Sequence, residues 1–113
     1  MTYRQGPPLP CPHCGMQLAA FEEARPKWRC RSCGGTLVGG EELQFEVASA
    51  TAVELAPRMP IRPPLACPIC GDPMIACAIH EVPAERCERD RCVWFERGDL
   101  GRARRGLVQP IRT

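Results

Sequence analysis

Four cysteines near the start of the chain, Cys11, Cys14, Cys30 and Cys33, fall in a C-x2-C-x15-C-x2-C pattern. Thiolate is a soft ligand. Two short turns that each carry a pair can bring four sulfurs onto one tetrahedral ion, the closed arrangement of structural zinc sites. In both turns a glycine, Gly15 or Gly34, follows the second cysteine. Glycine takes positive φ without strain and lets backbone N–H groups point at sulfur. Pro12 stiffens the first turn.

A second set begins with Cys67, Cys70 and Cys87. Setting CPHCGMQL (11–18) over CPICGDPM (67–74) aligns Cys11 with Cys67 at an offset of 56, and Cys30 with Cys87 and Leu43 with Leu100 at 57. The chain therefore reads as two copies of one unit with a single inserted residue. In this register Asp90 takes the place of Cys33, and Cys92 the place of Gly35. Carboxylate oxygen is an ordinary zinc ligand. Thiolate is softer, but using Cys92 widens the turn to C-x4-C and leaves no room before the next strand. Register favours Asp90 and softness favours Cys92, and both stay open. So does a three-coordinate ion completed by water, which would be an open, catalytic type of zinc with Glu88 as the neighbouring base. Cys77 lies between Ala76 and Ala78 in a strand-like run and reads as a small buried hydrophobe. His13 sits inside a turn already supplied with ligands, and His80 at a hairpin bend.

These donors need elements to hold them. Each unit reads as turn, hairpin, turn, strand, helix. Gln17 to Glu22 and Lys27 to Cys30 flank a polar bend, as do Met74 to Ile79 and Val82 to Arg86 around theirs. Thr36 to Val38 and Val93 to Phe95 supply a third strand in each unit. Acids at Glu41, Glu42 and Asp99 suit first helical turns. The first helix is expected over about 41–56, with Leu43, Val47, Ala50 and Val53 as its apolar stripe. The second uses Leu100, Ala103 and Leu107, and is weakened by Gly101 and Gly106. The expected fold is a small metal-stabilised α+β chain of two tandem zinc ribbons, each followed by a short helix. Its boundaries are a flexible N-terminus (1–10), the first ribbon and helix (11–55), a Pro-rich linker (56–66), the second ribbon and helix (67–109) and a tail (110–113).

A chain of 113 residues buries proportionally little apolar surface, so staples are expected. Nine cysteines could be a disulfide scaffold, but MTYRQGPPLP has no apolar core of a secretory leader, and the expectation is a cytoplasmic protein that uses thiols as metal ligands. The longest uncharged run, Gln5 to Phe21, is too short and too rich in proline for a membrane span. The net charge of +2 is uneven: residues 1–56 hold 5 Lys+Arg against 6 acids, and residues 57–113 hold 10 Arg against 7 acids. A divalent ion on four thiolates leaves a negative centre, so overall charge is a weak argument for nucleic acid.

CPHCGMQL, CRSCGGTL and GGEEL together resemble the transcription factor IIB type zinc-finger family of small bacterial proteins. Val93-Trp94-Phe95 and Gly98-Asp99-Leu100 are similar to that family's V-W-F-D and G-E-L elements. The resemblance covers most of residues 11–105 and implies two zinc ions and a ribbon fold; it leaves activity undefined. Unit one has Thr36-Leu37-Val38 where the family usually has a Trp, so Trp28 is expected to fill that part of the core.

The expected function is a non-enzymatic zinc-binding interaction module, with a transcription-related role as what the resemblance suggests. A protein partner is favoured, with Phe45, Ile61 and Val108 as apolar residues that lack an evident core position. Nucleic acid is the alternative, through Arg86, Arg89, Arg91, Arg97, Arg102, Arg104, Arg105 and Arg112 with Trp94 or Phe95 for stacking. The competing reading takes these arginines as counter-charges to the thiolates and both aromatics as core. Four sulfurs alone do not separate zinc from iron, so a rubredoxin-like redox protein is the chemical rival. No nucleophile and base pair, phosphate loop or cofactor fingerprint points to a small-molecule substrate.

Overall fold

A computed structural model of the chain describes residues 9–21, 26–47, 56–57, 59 and 63–108. In chain order its elements are β1 (Ala19–Ala20), β2 (Lys27–Arg29), β3 (Thr36–Gly39), α1 (Gly40–Glu46), β4 (Ala56–Pro57), β5 (Ile75–Ile79), β6 (Val82–Arg86), β7 (Cys92–Phe95) and α2 (Asp99–Val108). All strand pairs are antiparallel, and they build one sheet in the order β1-β2-β3-β7-β6-β5-β4. The centre of that sheet joins the two halves of the chain: Thr36 lies opposite Phe95, Leu37 opposite Trp94, Val38 opposite Val93 and Gly39 opposite Cys92.

Strand side chains alternate between faces. Cys92 and Trp94 therefore project to one side, where they pack with Leu37, Trp28, Leu18, Met74 and the buried cysteines of both turn pairs. Val93 and Phe95 project to the other, into a core with Val38, Ile79, Val82, Leu43, Leu100 and Ala103, the last three from the two helices. The result is three layers, with the cysteine turns on one face of the sheet and the helices on the other. All four residues of β7 are buried, which is why CVWF reads as a continuous apolar run. Trp28 packs in the cysteine-side core as expected, and Trp94 joins it there from the other half.

The β5–β6 hairpin forms where the sequence places it, with β6 as expected and β5 starting at Ile75, one residue after the expected Met74, and its two-residue turn, His80-Glu81, takes positive φ at both positions (51° and 70°). This is the turn whose twist matches antiparallel strands. Each first cysteine turn is buttressed by the segment before it: the N–H of Leu18 donates to Leu9 O and that of Met74 to Leu65 O, both at 2.8 Å. Leu9 and Pro10 thus belong to the folded unit, as do Leu65 and Ala66, and Ala56–Pro57 adds an edge strand against Cys77 and Ala78. Proline is tolerated there because it needs no ladder partner on its outer side.

The first helix differs from expectation. It ends at Glu46, and Val47 is extended (φ −130°, ψ 98°). Val47 still reaches the core, but as a β-branched residue that leaves helical space, and the last turn carries no basic residue to stabilise a longer helix. Ala56, the expected helix end, lies in β4. Ala50, Val53, Ile61 and Arg112 lie outside the described residues, as do the side chains of Phe45, Arg105, Leu107 and Val108. No helix among the described residues is long and apolar enough to cross a membrane.

Gly35 lies under Trp94. A Cβ there would enter the indole ring and approach Phe95 O at 3.0 Å. Overpacking of this kind costs about 1–3 kcal/mol. Gly35→Ala is expected to lower the denaturation midpoint of the metal-loaded protein and to change its near-ultraviolet circular dichroism, both measurable on the purified variant.

Candidate metal centres

All four cysteine-bearing turns share one backbone design. The N–H of Cys11, Cys30, Cys67 and Cys87 donates to the carbonyl five residues on, that of Met16, Gly35, Asp72 and Cys92, at 2.6 to 2.9 Å. The N–H four residues on, from Gly15, Gly34, Gly71 and Arg91, donates back at 2.8 to 2.9 Å. Inside the turn further N–H groups aim at sulfur. His13 and Cys14 donate to Cys11 Sγ (3.3 and 3.4 Å), Cys33 to Cys30 Sγ, Ile69 to Cys67 Sγ and Asp90 to Cys87 Sγ (each 3.4 Å). Such bonds favour thiolate over thiol and orient the ligand.

Closing the turn requires positive φ at its fifth residue, which is 80° at Gly15, 83° at Gly34, 85° at Gly71 and 58° at Arg91. Arg91 thus occupies a glycine position. Sequence reasoning passed over it, although the offset of 57 sets it beneath Gly34. With the frame fixed, Asp90 holds the same fourth position as Cys14, Cys33 and Cys70.

Among the described residues, two groups bring four donor atoms within 4.8 Å of one another: Cys11, Cys14, Cys30 and Cys33, and Cys67, Cys70, Cys87 and Asp90. Either group could hold a metal ion. Metal–sulfur bonds of about 2.3 Å in a tetrahedron set sulfurs about 3.8 Å apart, and a metal–oxygen bond of about 2.0–2.2 Å shortens the sulfur–oxygen edge to about 3.6 Å. The observed edges are 3.7 Å (Cys11–Cys33), 3.4 Å (Cys14–Cys30) and 3.6 Å (Cys70–Cys87), and Asp90 Oδ2 stands 3.4 Å from Cys67 and 3.6 Å from Cys87. Cys92 is outside the four-donor group. It is the residue whose carbonyl closes the fourth turn, and its Sγ lies 3.7 Å from Cys67 Sγ.

Burial pushes the Cys11 thiol pKa up to about 12, Cys92 up to about 11, and Cys33 and Cys67 upward. Cys30 is the exception: burial opposes ionisation, but the N–H of Cys33, the thiol of Cys14 and the N–H of Ser32 outweigh it and bring the group down to about 6. In the second centre the Cys70 thiol hydrogen-bonds the Asp90 carboxylate, lowering Asp90 and raising Cys70.

The remaining candidates lie elsewhere. Cys77 is buried in the core on the helix side. His13 places Nδ1 3.3 Å from Glu96 Oε1, and the other Glu96 oxygen accepts from Trp94 Nε1 at 3.1 Å, a link between the halves that the sequence did not suggest. His80 stays in its hairpin turn, outside both groups. Glu88 is exposed and faces Arg86 at 3.7 Å.

Two outcomes follow from this geometry. A left-handed L-residue costs about 1–2 kcal/mol, part of which glycine returns as unfolded-chain entropy. Arg91→Gly is therefore expected to raise the stability of the loaded protein by up to about 1 kcal/mol, and Gly34→Arg to lower it, in paired denaturation curves. An ion must displace protons from thiols held up by burial, Cys11 at about 12 among them. Apparent metal affinity should accordingly rise from pH 6 to pH 8, with proton release visible in calorimetry across buffers of different ionisation enthalpy. Affinity that is flat in pH would contradict protonated apo sites.

No protein-family model, no curated protein and no solved structure matches this chain.

Proposed function

We propose that the chain is a double zinc ribbon, a non-enzymatic module in which two zinc ions fix a surface for a protein partner. One observation carries this reading: a single turn design, used four times, delivers four protein donors to each of two centres. An ion with four protein ligands keeps no open position, which is the structural use of zinc. Asp90 is the fourth ligand of the second centre in this reading. Three thiolates and a carboxylate are an ordinary set for zinc, which supports zinc over the rubredoxin-like iron alternative. Structural ions of this kind contribute folding free energy on the order of 10 kcal/mol in small zinc-finger peptides.

The choice of partner rests on what the surface offers. Trp94 and Phe95 are at most 1% exposed, so neither can stack on a base. Several of the arginines suggested for nucleic acid have nearby acids: Arg89 with Asp72 (3.2 Å), Arg86 with Glu88 (3.7 Å) and Arg102 with Asp99 (2.7 Å). Exposed apolar side chains, Met16, Phe21, Ile69 and Ile75, are available to a protein surface instead. One feature favours the nucleic-acid reading. A groove of about 240 Å³ between the first hairpin and α2 is lined by Phe21, Lys27, Arg29 and Arg104, with Lys27 Nζ 4.3 Å from the Phe21 ring centroid.

Metal analysis of protein purified without added metal should give two zinc ions per chain, and one in Cys30→Ala. Iron, or a single ion in the unaltered chain, would overturn the reading. Binding to single-stranded nucleic acid that weakens steeply with salt would move the assignment from a protein partner to the groove.

A further inference from the structure

The second centre has a donor more than it needs. Cys92 lies on the cysteine-side face of β7, is 1% exposed, and packs with Cys67 and Cys87 in the same core. Its Sγ stands 3.7 Å from Cys67 Sγ, the same edge that joins two ligands, Cys11 and Cys33, in the first centre. The corresponding turn positions hold Met16, Gly35 and Asp72, so only the fourth turn places a thiol there. Asp90, by contrast, is only half-buried. The second centre thus has a half-buried carboxylate in its four-donor group and a fully buried thiol beside it.

We propose that Asp90 and Cys92 are alternative fourth ligands of one metal ion, with Cys92 as a reserve thiolate that takes over when the carboxylate leaves. This rests on the reading of two four-donor metal centres given above. The exchange breaks one metal–oxygen bond to Asp90 and forms one metal–sulfur bond to Cys92. The thiol proton passes to the departing carboxylate or to water, and no electron is transferred. The ion stays in place throughout, held by Cys67, Cys70 and Cys87. Softer divalent ions such as cadmium favour the thiol form, because thiolate selects them over carboxylate. The second centre is therefore adaptable in ligand set, whereas the first has Met16 and Gly35, and no thiol, at the turn positions equivalent to Cys92.

Cobalt(II) tests this on the full chain, because sulfur-to-cobalt charge transfer reports bound thiolates and the visible bands report tetrahedral coordination. Four proteins are compared at two cobalt equivalents: unaltered, Asp90→Ala, Cys92→Ser and the double variant. The proposal expects two cobalt ions in the first three. The charge-transfer intensity of the second centre should rise by about a third in Asp90→Ala, as three thiolates become four, and stay unchanged in Cys92→Ser. The double variant should keep a single tightly held cobalt, in the first centre, whose unchanged spectrum shows that the fold persists. Loss of the second cobalt from Asp90→Ala, or its retention with no gain in charge transfer, overturns the exchange and leaves the two-centre reading intact. Loss of charge transfer in Cys92→Ser means that Cys92 is the resident ligand, and overturns the exchange together with the assignment of Asp90. Fewer than two cobalt ions in the unaltered chain removes the two-centre reading itself.

Discussion

Leu37 and Trp94 face each other across β3 and β7, and this central pairing is what the rest of the structure depends on. It joins the two cysteine-rich halves into one sheet and leaves β7 with no solvent side. One face of that strand must then be covered by the cysteine turns and the other by helices, and the alternation of Cys92, Val93, Trp94 and Phe95 supplies a suitable side chain to each. Glu96 continues the tie beyond the strand, holding Trp94 with one oxygen and His13 of the first turn with the other. Gly35 completes it, because only a residue without a Cβ leaves room for the indole. The two candidate metal centres are thus mounted on a shared core and do not hang from separate small domains.

Features with a short sequence range were the most legible. The β5–β6 hairpin follows from two apolar runs around a two-residue turn, and the third strand of each half from a short β-branched or aromatic run. The first centre was readable because four cysteines at fixed spacing leave little choice. The second was ambiguous because chemistry and register disagreed, and softness alone could have placed Cys92 in the site. The backbone turn places Asp90 fourth, and it is Asp90 that falls in the four-donor group with Cys67, Cys70 and Cys87.

What could not be read depends on distant contacts. The stripe from Leu43 through Val47 has helical spacing, yet the helix stops at Glu46 because Val47 is drawn into the core in an extended conformation. The proline-rich stretch looks like a spacer, but Ala56–Pro57 finds an edge on β5, pairing with Ala78 and Cys77 far along the chain, a partner that no local pattern announces. Trp94 under the opposite half is the same kind of case. Its neighbour Gly35 looked like part of a turn, and its role as a socket for an indole appears only when the two copies are joined.

The register of that junction carries a further implication. At the sequence offset of 57, Leu37 of the first copy corresponds to Trp94 of the second, and these equivalent residues lie opposite each other. Thr36 meets the counterpart of Val38, and Val38 the counterpart of Thr36. A local two-fold axis therefore runs through the Leu37–Trp94 pair, the self-complementary contact of a symmetric homodimer. A single copy would leave its third strand as an exposed edge, and a second identical copy is the simplest cover for it. The chain has the form of a dimer written into one polypeptide. Fusion frees the two halves from identity, so one can keep four thiolates while the other takes Asp90, Arg91 and Cys92 in place of a cysteine and two glycines.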